Sequence, residues 1–302
     1  MNAQVSAPEY PRPSTTIPSA PHTSGSVLEL TGIGHQYGPE TVLENINLRL
    51  AHGEVMALLG RSGCGKTTLL RIAAGLLTPS EGQVTVDFAG TAVVFQQPSL
   101  LPWKRLLDNI ALGLKPRGIA RAQRHALATT MAAKVGLKPE DHDKYPSELS
   151  GGMQSRAALA RAFIVEPTVL LLDEPFSALD IGLRSQMQAL LADHISRQGS
   201  AALMVTHDLM DAVRLAHQVV LMAPDPGRVL ARFRIDQPLA QRDDAWAYQQ
   251  AAGLLKHPLV RTAFELPPIE PDNLPAAAVD MTLQLVSEPI QPIPAPERRG
   301  CG

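Results

Sequence analysis

The spacing of apolar residues changes along this chain, and each spacing predicts a different kind of element. Continuous apolar runs at residues 55–59, 169–172 and 202–205 indicate strands that are buried on both faces. Between residues 46 and 50, isoleucine and leucine alternate with polar residues, which predicts an antiparallel patch within residues 27–50. Strands of both kinds are therefore expected in the first two thirds of the chain.

The rest of the pattern completes an α/β outline. Residues 97–165 predict a mainly helical region, which includes a helix at about 120–135 and contains no coiled-coil heptads. From Thr168 onward, strands and helices alternate as in a doubly wound sheet, and residues 228–235 predict its last edge strand. We therefore expect one α/β domain at residues 27–236.

The flanking segments carry weaker signals. Residues 1–26 contain five prolines and residues 266–302 contain eight, with no apolar period, so both are expected to be disordered. Residues 237–265, which include Trp246 and Tyr248, predict a short helical appendage.

Composition narrows the class of protein. The 302 residues are 45% hydrophobic and 19% charged with a net charge of −2, values that suit a soluble globular protein and give no electrostatic footprint for nucleic acid. No apolar stretch approaches the length of a membrane span, and the N-terminus lacks a basic segment followed by an apolar core. We expect a cytoplasmic protein that contacts membrane only through a partner. The two cysteines, Cys64 and Cys301, are expected to be free thiols.

A glycine-rich segment follows the first buried run. Gly60, Gly65, Lys66 and Thr67 match the pattern G-x-x-x-x-G-K-[ST], in which backbone amides and a helix start surround a polyphosphate. Lys66 would reach the β and γ phosphates, and Thr67 would offer its hydroxyl to Mg²⁺. The plain alternative is an ordinary glycine-rich turn.

Two acidic residues end the second buried run. Asp173 and Glu174 are expected at the carboxyl edge of the sheet, where α/β folds bind their ligands. Asp173 suits the surroundings of a Mg²⁺ held by Thr67, and Glu174 suits a base that polarises an attacking water. The alternative is a pair of solvated acids at a strand end.

Residues 149–154, with the sequence Leu-Ser-Gly-Gly-Met-Gln, add a family resemblance. Together with the phosphate loop, the acidic pair, residues 177–180 and His207, this segment resembles the ATP-binding cassette (ABC) family of transporter ATPases. The resemblance implies a phosphate-loop NTPase core with an antiparallel β patch and a helical subdomain. It also implies a head-to-tail homodimer, in which ATP lies between the phosphate loop of one copy and Ser150 of the other. Ser150 equally suits the N-cap of a helix, and one geometry can serve both roles.

The resemblance assigns roles to three more residues. Gln96 resembles the glutamine that touches Mg²⁺ and senses the membrane partner, although Gln97 beside it is an open alternative. His207 resembles the switch histidine that contacts the γ-phosphate. Tyr37 resembles the aromatic residue that stacks on adenine, with simple packing as the alternative.

The predicted site residues fall into four groups. The nucleotide-binding group is Tyr37, Gly60, Arg61, Ser62, Gly63, Cys64, Gly65, Lys66, Thr67 and Thr68. The group contributed by the opposite copy is Ser150, Gly151, Gly152, Met153 and Gln154. Asp180, in the loop that follows the acidic pair, is a further predicted site residue outside these groups. Glu174 and His207 are the catalytic pair, and the Mg²⁺ group is Thr67, Gln96 and Asp173.

Residues 95–103 and 107–110 resemble the importer ATPases of the nitrate, sulfonate and taurine group. The resemblance implies that ATP hydrolysis powers uptake of a small anionic or organic solute, with the chain on the inner face of the cell membrane. Its partners would be transmembrane permease subunits and, indirectly, an external solute-binding protein. Leu100, Leu101 and Trp103 would form an exposed apolar dock for the permease, unless they pack against the helical subdomain.

Other classes of cassette protein share these motifs. A soluble scaffold in iron–sulfur assembly would also have a single cassette, but it would lack the Leu-Leu-Pro-Trp segment. Translation factors typically carry two cassettes, and DNA-repair proteins interrupt theirs with coiled coil. One departure from the family is Ser155 in the helix after Ser150, where relatives usually have glutamine.

Overall fold

A computed structural model describes residues 26–267 and 283–285 of the chain. The strands in this part are β1 (Ser26–Tyr37), β2 (Glu40–Ala51), β3 (Val55–Leu59), β4 (Glu81–Val86), β5 (Thr91–Val94), β6 (Val169–Asp173), β7 (Ala201–Thr206), β8 (Gln218–Ala223), β9 (Arg228–Ile235) and β10 (Leu283–Leu285). The α-helices are α1 (Lys66–Ala73), α2 (Leu106–Ile110), α3 (Arg121–Lys134), α4 (Gly151–Phe163), α5 (Ile181–Gln198), α6 (Leu209–Leu215), α7 (Asp244–Lys256) and α8 (Pro258–Ala263). Short 3₁₀ turns occupy Phe88–Gly90, Ala111–Leu114, Pro139–Asp141, Pro146–Glu148 and Leu239–Gln241.

The antiparallel patch is a three-stranded sheet in the order β2-β1-β4. In β2 the residues Ile46, Leu48 and Leu50 are buried and their neighbours are exposed, as the alternating pattern predicted. The third strand, β4, comes from residues 81–86, beyond the segment in which the patch was predicted. Its own residues are exposed or half-buried, so they carry no strong apolar alternation.

The larger sheet sets the position of the functional residues. Its order is β10-β9-β8-β3-β7-β6-β5. Strands β8, β3, β7, β6 and β5 are parallel to one another, β9 is antiparallel to β8, and β10 is antiparallel to β9. Because β3, β7 and β6 are adjacent and parallel, the segments that follow them meet at one edge. The phosphate loop follows β3, Glu174 follows β6, and His207 follows β7.

Alternate residues of the buried strands face two separate cores. In β3, Met56 and Leu58 pack toward the antiparallel sheet and α1, whereas Val55, Ala57 and Leu59 face the side on which α4 and α5 lie. A strand buried on both faces reads as a continuous apolar run, which is why residues 55–59 contain no polar position.

Two arginines of α4 hold the helical region in place. Arg156 Nη1 donates to the carbonyls of Gly136 (2.6 Å) and Val135 (3.2 Å) at the end of α3. Arg161 donates to the carbonyls of Pro98 and Ser99, both at 2.9 Å, in the loop that follows Gln96. The helix that begins after Ser150 is therefore tied to the loop that carries Gln96.

The segment predicted as a helical appendage contains α7 and α8, and it packs closely on the rest of the chain. Arg242 Nη1 donates to the carbonyls of Val213 (2.9 Å) and Ala216 (2.6 Å) at the end of α6. Burial lowers the pKa of Arg242 to about 10, since a guanidinium away from water loses solvation.

Three differences from the sequence-based boundaries concern the chain ends. Ser26, predicted to be in the first tail, already belongs to β1. Residues 283–285, predicted to be disordered, pair antiparallel with β9, so β9 is not the edge strand over that length. Backbone hydrogen bonds require no apolar period, which explains why the sequence did not signal this pairing. Leu266 and Pro267, also predicted to be in the disordered tail, contact the end of α8: Leu266 N–H donates to the carbonyl of Arg261, and Arg261 Nε donates to the carbonyl of Pro267. The remainder of both predicted tails lies outside the described residues.

Candidate functional site

The phosphate loop folds around the ammonium group of Lys66. Lys66 Nζ donates to the carbonyls of Gly60 (2.8 Å) and Arg61 (2.7 Å), and its side chain is buried. The helix α1 begins at Lys66, so its first free N–H groups point into the same loop. A buried positive charge and a helix start thus converge on one point, which suits a polyphosphate.

At two positions of the loop, neighbouring atoms leave no room for any residue larger than glycine. A Cβ on Gly60 would lie 2.8 Å from both Cys64 Sγ and the carbonyl oxygen of Met222. Gly65 has φ +84°, and a Cβ there would lie 2.5 Å from a methyl group of Leu43. The loop is therefore packed tightly against β2 and β8, which fixes its shape.

Cys64 is a free thiol, as predicted, but it is fully buried. Its side chain belongs to the apolar cluster beneath the antiparallel sheet, together with Leu43 and Leu69. In this position it acts as a small core residue that supports the loop. Cys301 lies outside the described residues.

Thr67 and Asp173 meet where β3 and β6 end. Thr67 Oγ1 donates to the Asp173 carboxylate, with distances of 3.0 Å to Oδ2 and 3.3 Å to Oδ1. Asp173 is 3% exposed, and this burial raises its pKa above the ordinary value, while the hydrogen bond from Thr67 acts in the opposite direction. The pair places two oxygen ligands next to the loop.

Glu174 lies between Gln96 and His207. Gln96 Nε2 donates to Glu174 Oε2 (3.3 Å), and His207 Nδ1 lies 3.0 Å from Glu174 Oε1. Gln96, rather than Gln97, is the glutamine brought to the carboxylate. Glu174 also has φ +46°, a strained value for a side chain of this size. Its N–H donates to the carbonyl of Val205, which holds this turn in place.

Ser150 caps the start of α4. Its Oγ accepts a hydrogen bond from the N–H of Met153 (3.3 Å), and Gln154 Nε2 donates to the carbonyls of Pro146 and Leu149. Ser150 and Gly151 are exposed. Among the described residues, no hydrogen bond joins residues 150–154 to the phosphate loop, so the structure does not bring these two predicted groups together within one chain.

Ser155, the departure from the family pattern, makes a local contact. Its Oγ donates to the carbonyl of Gly151 (3.1 Å), one turn earlier in α4. Bonding of this type is common for serine inside a helix. The hydroxyl therefore points back along the helix, and Ser150 keeps its place as the cap.

Tyr37, Asp180 and the residues of the predicted dock differ in their exposure and contacts. Tyr37 lies at the end of β1 and is 47% exposed. Its ring contacts the ring of His35 in an edge-to-face arrangement. Asp180 caps α5 by accepting a hydrogen bond from the N–H of Leu183 (2.9 Å). In the predicted dock, Trp103 is 71% exposed, as expected of a docking residue. Leu100 instead packs against the main core, which agrees with the alternative that these residues pack.

Two contacts at the site were missed by the sequence interpretation. Arg61 of the phosphate loop forms an ion pair with Glu265, just after α8. Arg184 of α5 contacts Asp208, which directly follows His207. No local pattern identifies either pair, because their partners are distant in sequence and are brought together by helix packing.

Comparisons with known proteins place this chain among ABC transporter proteins. The family model described as ABC transporter matches residues 43–177. The taurine import ATP-binding protein TauB of Yersinia pestis bv. Antiqua is 41% identical over 217 residues, which cover 70% of this chain and 85% of that protein. The protein of the same name from Escherichia coli O157:H7 is 43% identical with the same coverage.

Solved structures show the same fold. A dimeric post-hydrolysis state of an ATP-binding cassette bound to ADP and phosphate has a TM-score of 0.63 and 28% identity, and the match covers 67% of this chain and 97% of that one. A second dimeric structure, of a bacterial ABC transporter cassette, has a TM-score of 0.61 and 29% identity over 64% of this chain and 93% of its own.

The predicted fold class is therefore confirmed, and the soluble scaffold alternative is not favoured. The two TauB proteins are more than 40% identical to this chain over 85% of their own length, which is enough to assign the chain to their family. This chain belongs to the ABC transporter family, as an importer-type ATPase that hydrolyses ATP.

Proposed function

We propose that this chain is the ATPase of an importer for taurine or a closely related sulfonate, and that it works as a head-to-tail homodimer at the inner face of the membrane. The observation that carries the catalytic part is the position of Glu174, held between Gln96 and His207 and adjacent to the Thr67–Asp173 pair. The proposed solute class rests on the similarity to the taurine import proteins.

Hydrolysis needs a base next to the attacking water. We infer that the Glu174 carboxylate accepts the proton of a water whose oxygen bonds to the γ-phosphorus, while the bond to the ADP oxygen breaks. Lys66 and His207 would stabilise the negative charge that develops on the γ-phosphate oxygens. Gln96 would orient Glu174 through its amide.

Mg²⁺ fits the donors at this edge of the sheet. The cation prefers oxygen ligands and is usually held by one or two protein oxygens together with substrate phosphates. Thr67 and Asp173 supply such oxygens, and a nearby cation would favour the ionised form of a carboxyl group whose pKa burial has raised. Mg²⁺ would neutralise phosphate charge during the reaction.

A second copy would complete each site. Ser150 and Gly151 are exposed at the start of α4, where a hydroxyl, free N–H groups and the helix dipole suit a γ-phosphate. Both matched cassettes were solved as dimers, which supports this arrangement. Tyr37 would stack on adenine with its exposed ring.

Coupling to a permease would use the loop after Gln96. Trp103 offers an exposed apolar surface in that loop. Arg161 of α4 is hydrogen-bonded to the same loop, and α4 begins after Ser150. A permease that moved the loop at Trp103 would therefore also move the helix that follows Ser150. Solute selectivity would lie in the permease and the external binding protein. Neither the Mg²⁺ nor the permease contact is needed to explain the fold.

Glu174→Gln tests the catalytic assignment. The amide cannot take a proton from water, so we expect the ATPase rate to fall by at least about a hundredfold while ATP binding is retained. The variant should also remain dimeric with ATP in size-exclusion chromatography, because the bridging nucleotide is not consumed.

Glu140→Gln is a matched control, since Glu140 forms an exposed ion pair with Lys138 in the helical region. It should hydrolyse ATP at the parental rate. Parental turnover by Glu174→Gln would refute the role of Glu174.

A further inference from the structure

Arg184 joins α5 to α6, the helices that follow β6 and β7. It lies in the first turn of α5, and its Nε donates to Asp211 Oδ1 of α6 at 2.8 Å. Its Nη2 contacts the same oxygen at 2.7 Å and also contacts Asp208, just before α6. Gln188, one turn further along α5, donates to Asp211 as well (2.6 Å). One guanidinium thus bridges two carboxylates.

Asp211 explains why this bridge is firm. Its side chain is buried, and burial raises its pKa, whereas the hydrogen bond from Arg184 lowers it. Separating a buried carboxylate from its partner is strongly unfavourable, so the contact between Arg184 and Asp211 is kept. Arg184 is therefore held in one position on the site side of α6.

Asp208 is fixed through all of its polar groups. Its N–H donates to Thr206 Oγ1 (3.0 Å), and its Oδ1 accepts from the N–H of Met210 (2.7 Å). Its second oxygen, Oδ2, takes the contact with Arg184. The peptide between His207 and Asp208 consequently has little freedom to rotate.

His207 depends on that backbone for its direction. Its side chain is 62% exposed, so packing does little to hold the imidazole. Even so, Nδ1 lies 3.0 Å from Glu174. A further constraint on the direction of the ring comes from the backbone on either side, between the buried Thr206 and the fixed Asp208.

We propose that Arg184 is a positioning residue for ATP hydrolysis: by holding Asp208, it sets the direction of His207 toward Glu174. The proposal rests on the proposed function, because it takes His207 as the residue that meets the γ-phosphate. The competing interpretation is that Arg184 only fastens α5 to α6.

Arg184→Lys in the full chain separates these interpretations. Lysine keeps the charge next to Asp211 but lacks the second arm that reaches Asp208. Misplacement of a catalytic group by about 1 Å can cost about a hundredfold in rate, so we expect kcat to fall about tenfold to a hundredfold. The KM for ATP should stay within about twofold, because the phosphate loop is untouched.

Arg197→Lys is the matched control. Arg197 also lies on α5, but its ion pair with Asp193 is exposed and does not reach α6. It should keep the parental kcat. Asp208→Asn serves as a second variant if Arg184→Lys fails to fold, because asparagine retains an oxygen for the Met210 cap. It should show the same fall in kcat.

The decisive measurement is the effect of Arg184→Lys on kcat in a protein that already carries His207→Ala. If Arg184 acts through His207, adding Arg184→Lys to His207→Ala should lower kcat no further. Equal fractional losses in both backgrounds, or an unchanged kcat in Arg184→Lys, would overturn the proposal. If His207→Ala itself turned over ATP at the parental rate, the failure would lie in the proposed function of His207 instead.

Discussion

Glu174 shows how a single side chain takes its role from distant residues. Its two side-chain contacts, Gln96 and His207, lie 78 and 33 positions away in the sequence. They meet because β5, β6 and β7 are consecutive neighbours in the parallel sheet. The acidic pair was recognisable from sequence, but the identity of the contacting glutamine was decided by the loop conformation after β5.

A second residue, His217, makes stability depend on pH. Its Nδ1 accepts the N–H of Val55 (3.0 Å), and burial, with the charges of Arg242 and Arg234, lowers its pKa to about 4 from 6.5. Between these two values the unfolded chain binds a proton that the folded chain excludes. The stability associated with His217 is therefore complete above about pH 6.5 and is lost as pH falls toward 4.

We expect His217→Gln to reduce the change of folding stability with pH. For the parental protein, the free energy of unfolding measured with denaturant should fall by about 2 kcal/mol from pH 7.5 to 5 on account of this residue. His52→Gln, which changes an exposed turn histidine, should leave the fall unchanged. Equal pH slopes in the two variants would contradict the assignment.

At the scale of elements, we propose that one residue at the start of α4 has two roles. Ser150 caps the helix through Met153, and its exposed position suits a phosphate contributed to another copy. A capping geometry and an anion site use the same free N–H groups. Substitutions that keep the cap but remove the hydroxyl therefore separate the cap from the proposed ligand role.

Ser150→Ala and Ser150→Asn make that separation. Loss of the cap in Ser150→Ala should lower stability by about 1 kcal/mol, while asparagine, an equally good cap, should keep it. We expect both variants to lose ATPase activity, because neither offers a hydroxyl to the γ-phosphate. An active Ser150→Asn protein would leave Ser150 with the capping role alone.

Element boundaries followed the sequence closely where the pattern was strong. The predicted strands at 55–59 and 228–235 match β3 and β9 residue for residue, and the helix predicted at about 120–135 is α3, Arg121–Lys134. The predictions missed β4, whose residues are exposed or half-buried and which pairs with β1, and they missed β10, which pairs with β9.

At the scale of the whole molecule, each chain is proposed to carry two half-sites. Mixing a Lys66→Ala protein with a Ser150→Ala protein tests this directly. A mixed dimer would contain one intact site, built from the loop of one subunit and the α4 start of the other. We expect the mixture to recover up to about a quarter of the parental ATPase rate if dimers re-form at random. Activity no higher than the sum of the separate proteins would count against the shared site.

Trp103→Ala addresses the permease. Because the side chain is exposed and distant from the phosphate loop in sequence, we expect the ATPase rate of the isolated chain to be unchanged. Stimulation by reconstituted permease, and uptake of labelled taurine, should fall at least about tenfold, as for a central aromatic contact. Tyr248→Ala, at another exposed aromatic residue, is the control, and an unimpaired Trp103→Ala transporter would place the dock elsewhere.

Within the described residues, no helix is long and apolar enough to cross a bilayer. The predicted tails at residues 1–26 and 266–302 lie largely outside the described residues, so their expected disorder stays a prediction. The ion pair between Arg61 and Glu265 nevertheless brings the chain after α8 to the phosphate loop.

The sequence by itself determined the local chemistry. Glycine, lysine and threonine at fixed spacing define a phosphate loop, because turn geometry and helix starts depend on neighbouring residues. Continuous apolar runs likewise defined the buried strands, since burial on both faces excludes polar residues.

Only the tertiary structure decided which distant groups meet. The orientation of the packed elements brings Gln96, and not Gln97, to Glu174, and it brings Arg184 to Asp208. It also buries Cys64 and leaves Trp103 exposed. Such contacts join residues far apart in the chain, so no local spacing encodes them. Their energetics come from burial and charge in the folded state, which exist only once the sheet has assembled.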